Sequence, residues 1–333
     1  MFFAFYFPEY IKYPFAEFHF RMFYDVKRLL GGAIRELAWI MFRESAKTSI
    51  AKALITYLVA TKQREYLNVD SFDKSNAEMI LFDVANSLMT NRGLVRDYGQ
   101  LFTKTKMQNE MTLQRISKFT TRNGILVEAH STSESVRGRL YRDKRPDFYL
   151  LDDFETNKTK DSKAYIEQVQ KHIDELVTSM ASEGMVIYLG NYITEFGVVK
   201  RLLERSKQDP RLIAHNVPVI EDGVATWPAK YALTDEEASR TGKVSLEDKK
   251  RQVGSVVFSA EMLNQPIDRE TAVFKTEWFP VCSISKPMQS AKYGSMTLKT
   301  ALATSSSPAP STAPKSPRCF GLAALHSLLC RSD

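Results

Sequence analysis

Cysteine is scarce: Cys282, Cys319 and Cys330 are the three in 333 residues. They show no metal-ligand spacing and are too few for a disulfide framework, which fits a reduced intracellular setting. The aromatic opening MFFAFYFPEY lacks a basic start and is broken by Pro8-Glu9. It is too short for a signal peptide core or a bilayer span and reads as a buried N-terminal segment, with no membrane partner implied. There are no internal repeats. Acid runs out late in the chain, where nothing after Glu277 is Asp or Glu until Asp333. The formal net charge is +7, of which +5 falls from Ile284 onward and +2 on residues 1–283. A body so close to neutral gives no global basic face, so any DNA-binding surface must come from local clustering.

What is present is core-forming material. Hydrophobic residues make up 44% of the chain, enough to bury a large domain and to exclude wholesale disorder. Short apolar runs at Leu37–Phe42, Phe148–Leu151 and Met185–Leu189 have the look of strands buried on both faces. A helical pattern covers Phe15–Leu30 and another follows from Ile50. Asp73 to Asn91 reads as a helix with Asp73 as its N-cap, and further helices are expected over Asp161–Met180 and Glu195–Lys207. Weaker strand signals lie at Tyr66–Val69 and Ile125–Ala129. Strands alternating with helices predict an α/β fold: a mostly parallel sheet with helices on both faces. Past a composition break near Ser283, the Ser/Ala/Pro tract from Thr304 to Pro317 predicts a disordered tail.

The stretch LAWIMFRESAKTS, Leu37 to Ser49, joins a strand to a helix through a tight loop ending in Lys47-Thr48. That is the layout of a phosphate-binding loop, in which backbone N–H groups cradle phosphates, the lysine reaches the β/γ oxygens and the hydroxyl holds Mg²⁺. Met41 and Ala46 stand where the usual pattern has glycine. Downstream, Phe148–Leu151 delivers Asp152 and Asp153 to a strand's C-terminal end, the edge where ligands sit in open α/β sheets. One carboxylate holds Mg²⁺ and the second polarises the attacking water. Asp153 is favoured for the water because it directly follows the metal-side Asp152, with Glu155 as the alternative. Gly190-Asn191-Tyr192-Ile193-Thr194 follows another buried strand and can set an amide and a hydroxyl near the γ-phosphate. Its plain alternative is a strand–helix connection with Thr194 as N-cap.

Together these residues resemble the ATPase half of a large terminase subunit, the DNA-packaging motor of tailed bacteriophages, over roughly residues 10 to 280. FRESAKTS resembles the family's phosphate loop, RPDFYLLDD (Arg145–Asp153) its Walker B segment, and YLGNYIT (Tyr188–Thr194) its coupling motif. FSAEMLNQP (Phe258–Pro266) resembles the stretch that closes the ATPase domain. The resemblance implies a P-loop NTPase fold with ATP and Mg²⁺ as cofactors. It implies an ATP-binding loop of Arg43, Glu44, Ser45, Ala46, Lys47, Thr48 and Ser49, with Phe18 and His19 on the adenine side. It assigns Thr48 and Asp152 to the metal and Asp153 to catalysis. Arg43 becomes the transition-state arginine, with Arg137 as a competitor, and Gly190, Asn191 and Thr194 become the coupling residues. Glu44 stands out, since a carboxylate beside triphosphate is repelled unless it turns outward or pairs with a cation.

The implied domains are an aromatic segment over 1–36, an ATPase over 37–283 and a tail over 284–333. The implied partners are double-stranded DNA gripped through its phosphates, a small terminase subunit, a portal protein and further copies of the chain in a ring, in the cytoplasm of a bacterial host. Lys104, Lys106, Arg122, Arg139, Arg142 and Lys144 are candidate DNA contacts. A two-metal nuclease needs clustered carboxylates, which the segment after Glu277 does not supply, so no nuclease activity is expected and a truncation or frameshift near Ser283 is suggested. A non-catalytic terminase remnant and another DNA translocase or helicase are the competing readings.

Overall fold

The computed structural model describes residues 2–103, 116–156 and 162–266, all within one compact unit, Met1–Lys275. The expected tail, residues 284–333, and the candidate DNA contacts Lys104 and Lys106 lie outside the described residues.

In chain order the main helices are α1 (Phe2–Tyr6), α2 (Glu17–Leu30), α3 (Lys47–Ala60), α4 (Lys74–Thr90), α5 (Arg92–Tyr98), α6 (Lys163–Ser179), α7 (Val198–Arg205), α8 (Asp235–Thr241), α9 (Leu246–Val253) and α10 (Ser255–Glu261). The principal strands are β1 (Glu36–Met41), β2 (Tyr66–Ser71), β3 (Lys118–Thr120), β4 (Leu126–Ser131), β5 (Phe148–Asp152), β6 (Met185–Gly190) and β7 (Leu212–Val217). They form one sheet in the order β3-β4-β2-β5-β6-β1-β7. Every neighbouring pair is parallel except β3 with β4.

The apolar runs become β1, β5 and β6, each buried along its whole length, because helices cover both faces. Alternation along β1 shows the two layers. Leu37, Trp39 and Met41 pack with α2, α3 and α4 on one side. Ala38 and Ile40 pack with Ile166, Val169 and Ile173 of α6 and Val198 and Val199 of α7 on the other. This is the mixed, mostly parallel sheet flanked by helices on both faces that the sequence predicts.

Two details differ from the expected pattern. The N-terminal segment is only partly buried: Phe7 is enclosed, while Phe5 is 63% exposed on the short α1. The helix expected from Glu195 begins at Val198, with Gly197 rather than Thr194 as its N-cap.

β6 lies between β1 and β5, so the ends of all three open onto the same edge of the sheet. The loop after β1, the carboxylates after β5 and Asn191 after β6 are thereby neighbours.

Candidate active site

β1 ends at Met41, and the chain turns into α3 through Arg43-Glu44-Ser45-Ala46. Glu44 (φ 67°) and Ala46 (φ 68°) adopt the left-handed backbone, which costs a residue with a Cβ about 1–2 kcal/mol. Of the two missing glycines, only Ala46 sits where conformation favours one. Met41 is ordinary strand, paired with Val217.

Several contacts hold the turn. The Ser45 N–H reaches Phe42 O at 3.2 Å and the Arg43 N–H reaches Glu261 O at 2.9 Å. The Ser45 carbonyl accepts His19 Nε2 at 3.1 Å. Since His19 Nδ1 accepts the Ala16 N–H at 3.0 Å, Nε2 carries the proton and the ring is neutral. Burial lowers the pKa of His19 to about 4, in keeping with that state.

Beyond the turn, the first helical bond runs from Ile50 N–H to Ala46 O at 3.0 Å. The amides of Lys47, Thr48 and Ser49 therefore form a helix N-terminus with no earlier helical carbonyl to accept them, a natural anion site. Lys47 is buried, and its Nζ donates to Asn191 Oδ1 at 2.9 Å and Met41 O at 3.2 Å. Burial lowers its pKa, opposed by the nearby charges of Asp153 and Asp152. Thr48 Oγ1 donates to Asp152 Oδ2 at 3.2 Å.

Asp152 Oδ1 is buried with no hydrogen-bond partner. Burial, followed by the charge of Asp153, raises the pKa of the Asp152 carboxyl well above the usual range. An unsatisfied carboxylate oxygen beside a threonine hydroxyl is a hard-oxygen donor pair that fits Mg²⁺. Among the described residues no group of three or more His, Cys, Asp and Glu side chains could hold a metal. A cation here would take most of its ligands from phosphate and water.

Asp153 is exposed, in a left-handed conformation (φ 47°), with its N–H on Leu189 O at 3.2 Å. It lines a cavity of about 690 Å³ together with the loop residues 43–49, Asn191 and Glu261, and with Phe72, Asp73 and Asn76 on the far wall. That volume suits a small-molecule ligand. Arg43 also lines this cavity and pairs with Glu261 Oε2 at 2.6 Å, whereas Arg137 is outside it and pairs with Glu175 at 3.3 Å. Glu155 borders the cavity, but its carboxylate accepts the N–H groups of Val198 and Val199. Gly190 ends β6, and Thr194 is buried with Oγ1 accepting the Phe196 N–H at 3.4 Å.

Phe18 and His19 do not line this cavity. Both are buried, with the His19 ring edge-on to Trp227 at 4.6 Å, so neither offers an open face for a base to stack on. His19 instead braces the loop backbone at Ser45.

Sequence reasoning missed a second layer. Asn191 Nδ2 donates to Met41 O at 3.0 Å and Glu261 O at 2.9 Å. Asn264 Nδ2 donates to Val217 O at 3.0 Å, and its Oδ1 takes the Tyr192 N–H at 3.3 Å. Lys230, Tyr231 and Lys249 converge on Glu44. The sequence singles out Asn191 and the need of Glu44 for a cation, and the resemblance at Phe258–Pro266 contains Glu261 and Asn264, but nothing in it points to Lys230, Tyr231 or Lys249.

No family model and no curated protein matches the chain. Among solved structures it is similar to a point mutant of the large terminase ATPase domain of Thermus phage P74-26, at 12% identity and a TM-score of 0.39. That match covers 70% of this chain and 89% of the other. It amounts to a weak structural similarity to a phage terminase ATPase-fold protein.

Proposed function

We propose that this chain is an ATP-hydrolysing motor domain of the terminase kind, coupling hydrolysis to movement of double-stranded DNA. The observation that carries the reading is the meeting of Lys47 and Thr48 from the β1–α3 loop with Asp152 and Asp153 from the end of β5. Asn191 stands between them. In this reading residues 37–283 make the P-loop ATPase, on which residues 1–36 pack.

The α3 N-terminus and the backbone of residues 44–49 hold the triphosphate. Lys47 reaches the β/γ oxygens. Thr48 Oγ1 and Asp152 Oδ1 would hold Mg²⁺, which when bound draws charge from the phosphates. Asp153, open to the cavity, orients the attacking water and takes up its proton as the γ-phosphoryl group departs from ADP. Arg43, which lines the same cavity, neutralises charge on the transferring group. Lys47 Nζ bonds Asn191 Oδ1 at 2.9 Å, so a change in what the lysine contacts is passed to Gly190, Asn191 and Thr194. DNA is held through its phosphates, since a motor must accept every sequence. Small subunit, portal and a ring of further copies complete the assembly in this reading.

The test is ATP hydrolysis with and without linear double-stranded DNA, by wild type, Lys47→Ala and Asp153→Asn. Wild type is expected to hydrolyse ATP and to be stimulated by DNA. Both variants are expected to lose about 100-fold or more in rate. Equal background rates in all three would sink the motor reading and leave a DNA- or portal-binding module.

A further inference from the structure

The segment from Asn191 to Gly197 is fastened at both ends. At one end the Asn191 side chain takes Lys47 Nζ at 2.9 Å and donates to Met41 O and Glu261 O. At the other, Glu155 reaches across from the end of β5 to α7. One of its carboxylate oxygens accepts the Val198 N–H, and the other accepts the Val199 N–H at 3.3 Å. These are first-turn amides with no helical acceptor, so a carboxylate there satisfies them and meets the positive end of the helix.

Gly197 gives independent evidence that the fit is close. Its φ of −78° suits any residue, so the glycine is there for room. A Cβ at Gly197 would lie 2.5 and 2.6 Å from the two Glu155 oxygens and 2.7 Å from Thr194 Cγ2. The far end of α7 is tied down too. Arg205 pairs with Glu36 at the start of β1, and Tyr188 OH donates to the same carboxylate at 2.6 Å.

We propose that Glu155 is a positioning residue: it pins the start of α7 to the carboxylate strand, so that movement of Asn191 is confined to residues 191–197. The inference rests on the ATPase reading. It separates the two carboxylates, with Asp153 facing the nucleotide and Glu155 committed to backbone. The moving part of the coupling segment is then the seven residues 191–197, held at the α7 end, and α7 stays with the sheet.

The test is hydrogen–deuterium exchange on the full chain, with and without Mg²⁺ and a non-hydrolysable ATP analogue, alongside steady-state kinetics. Wild type, Glu155→Gln, Glu155→Ala and Gly197→Ala are compared. In wild type, residues 198–199 stay protected in both states while 192–196 respond to nucleotide. In Glu155→Ala, protection at 198–199 falls by about tenfold or more and the nucleotide response spreads into 200–205. There kcat falls about tenfold while KM for ATP moves by less than about threefold. Glu155→Gln, which keeps an acceptor for Val198, lies between, and Gly197→Ala reproduces the alanine pattern by displacing the carboxylate. Wild-type protection in Glu155→Ala and Gly197→Ala would overturn the proposal. So would a Glu155→Gln enzyme with intact protection and the full loss of kcat, which would make Glu155 the water-orienting group. A wild type that binds no nucleotide overturns the ATPase reading itself, whereas normal binding with residues 191–197 unaltered in every variant overturns this inference alone.

Discussion

Glu44 is where the loop departs furthest from what a triphosphate tolerates, and its surroundings show how the chain accommodates it. The carboxylate pairs with Lys249 at 2.6 Å and Lys230 at 3.1 Å, and Tyr231 OH donates to it at 3.2 Å. Lys230 is itself nearly enclosed, 5.1 Å from the Trp227 ring centre and 4.8 Å from that of Tyr231. Burial works to raise the pKa of Glu44, but the hydrogen bonds from Lys249 and Lys230 together outweigh it and bring it from 4.5 to about 2. A pKa lowered in the folded state means the carboxylate favours folding. That contribution is complete above pH 4.5 and is lost as pH falls toward 2. Thermal unfolding of wild type and Glu44→Gln should therefore differ most at neutral pH and converge in acid. Because Glu44 is half-exposed, added salt should also narrow the difference. A gap that widens in acid would contradict this pairing.

Among the elements, those built on apolar runs were legible from the sequence. The cores of β1, β5 and β6 follow from continuous hydrophobic stretches, and α4 begins after Asp73, whose side chain accepts the Ser75 N–H at 2.9 Å. Lys47, Thr48, Asp152 and Asn191, which the structure brings together, each lie in the sequence at the start of a helix or at or just past the end of an apolar strand. The second layer was not legible. Glu44 meets Lys230 and Lys249 across 186 and 205 residues, and Arg43 meets Glu261 across 218, separations that leave no local spacing to read. The three-residue β3 was too short to show alternation. α5 offers an element-scale test. Asn91 Oδ1 accepts the Leu94 N–H at 3.1 Å as its N-cap, while Nδ2 donates to Tyr6 O at 2.6 Å and ties down α1. Asn91→Ala should cost about 1–2 kcal/mol by denaturant unfolding. A neutral substitution would show that the cap and the tie do not stabilise the fold.

Across the whole molecule, the sheet order puts the β1–α3 loop, the carboxylates after β5 and Asn191 on one edge. One of the candidate DNA contacts is engaged inside the protein instead. The Arg139 side chain is 7% exposed, with Nη1 3.4 Å from Asp70 Oδ2, which also meets His172 Nε2 at 2.7 Å. Asp70 is fully buried, and the opposing burial is outweighed by His172 and Arg139, which lower its pKa. Arg139 thus serves the interior. Of the others, Lys144 pairs with Glu65 at 2.5 Å and Arg142 lies 5.0 Å from the Tyr141 ring centre. Arg139→Ala should destabilise the protein by about 3 kcal/mol or more through the buried charge it exposes. Unchanged stability with weakened DNA binding would return Arg139 to the surface set.

In the proposed function, a loop carrying Ala46 and Glu44 in place of more permissive residues, with Thr48 bonded to Asp152, is a working nucleotide site. Equilibrium binding of a fluorescent ATP analogue with Mg²⁺ tests it most directly, comparing wild type with Lys47→Ala and Asp152→Ala. Wild type should bind with a Kd on the order of micromolar, and Lys47→Ala should weaken binding by about 100-fold, roughly 2.7 kcal/mol. Asp152→Ala should abolish the Mg²⁺ dependence. Equal affinity in all three proteins, or no binding by the wild type, would contradict the account.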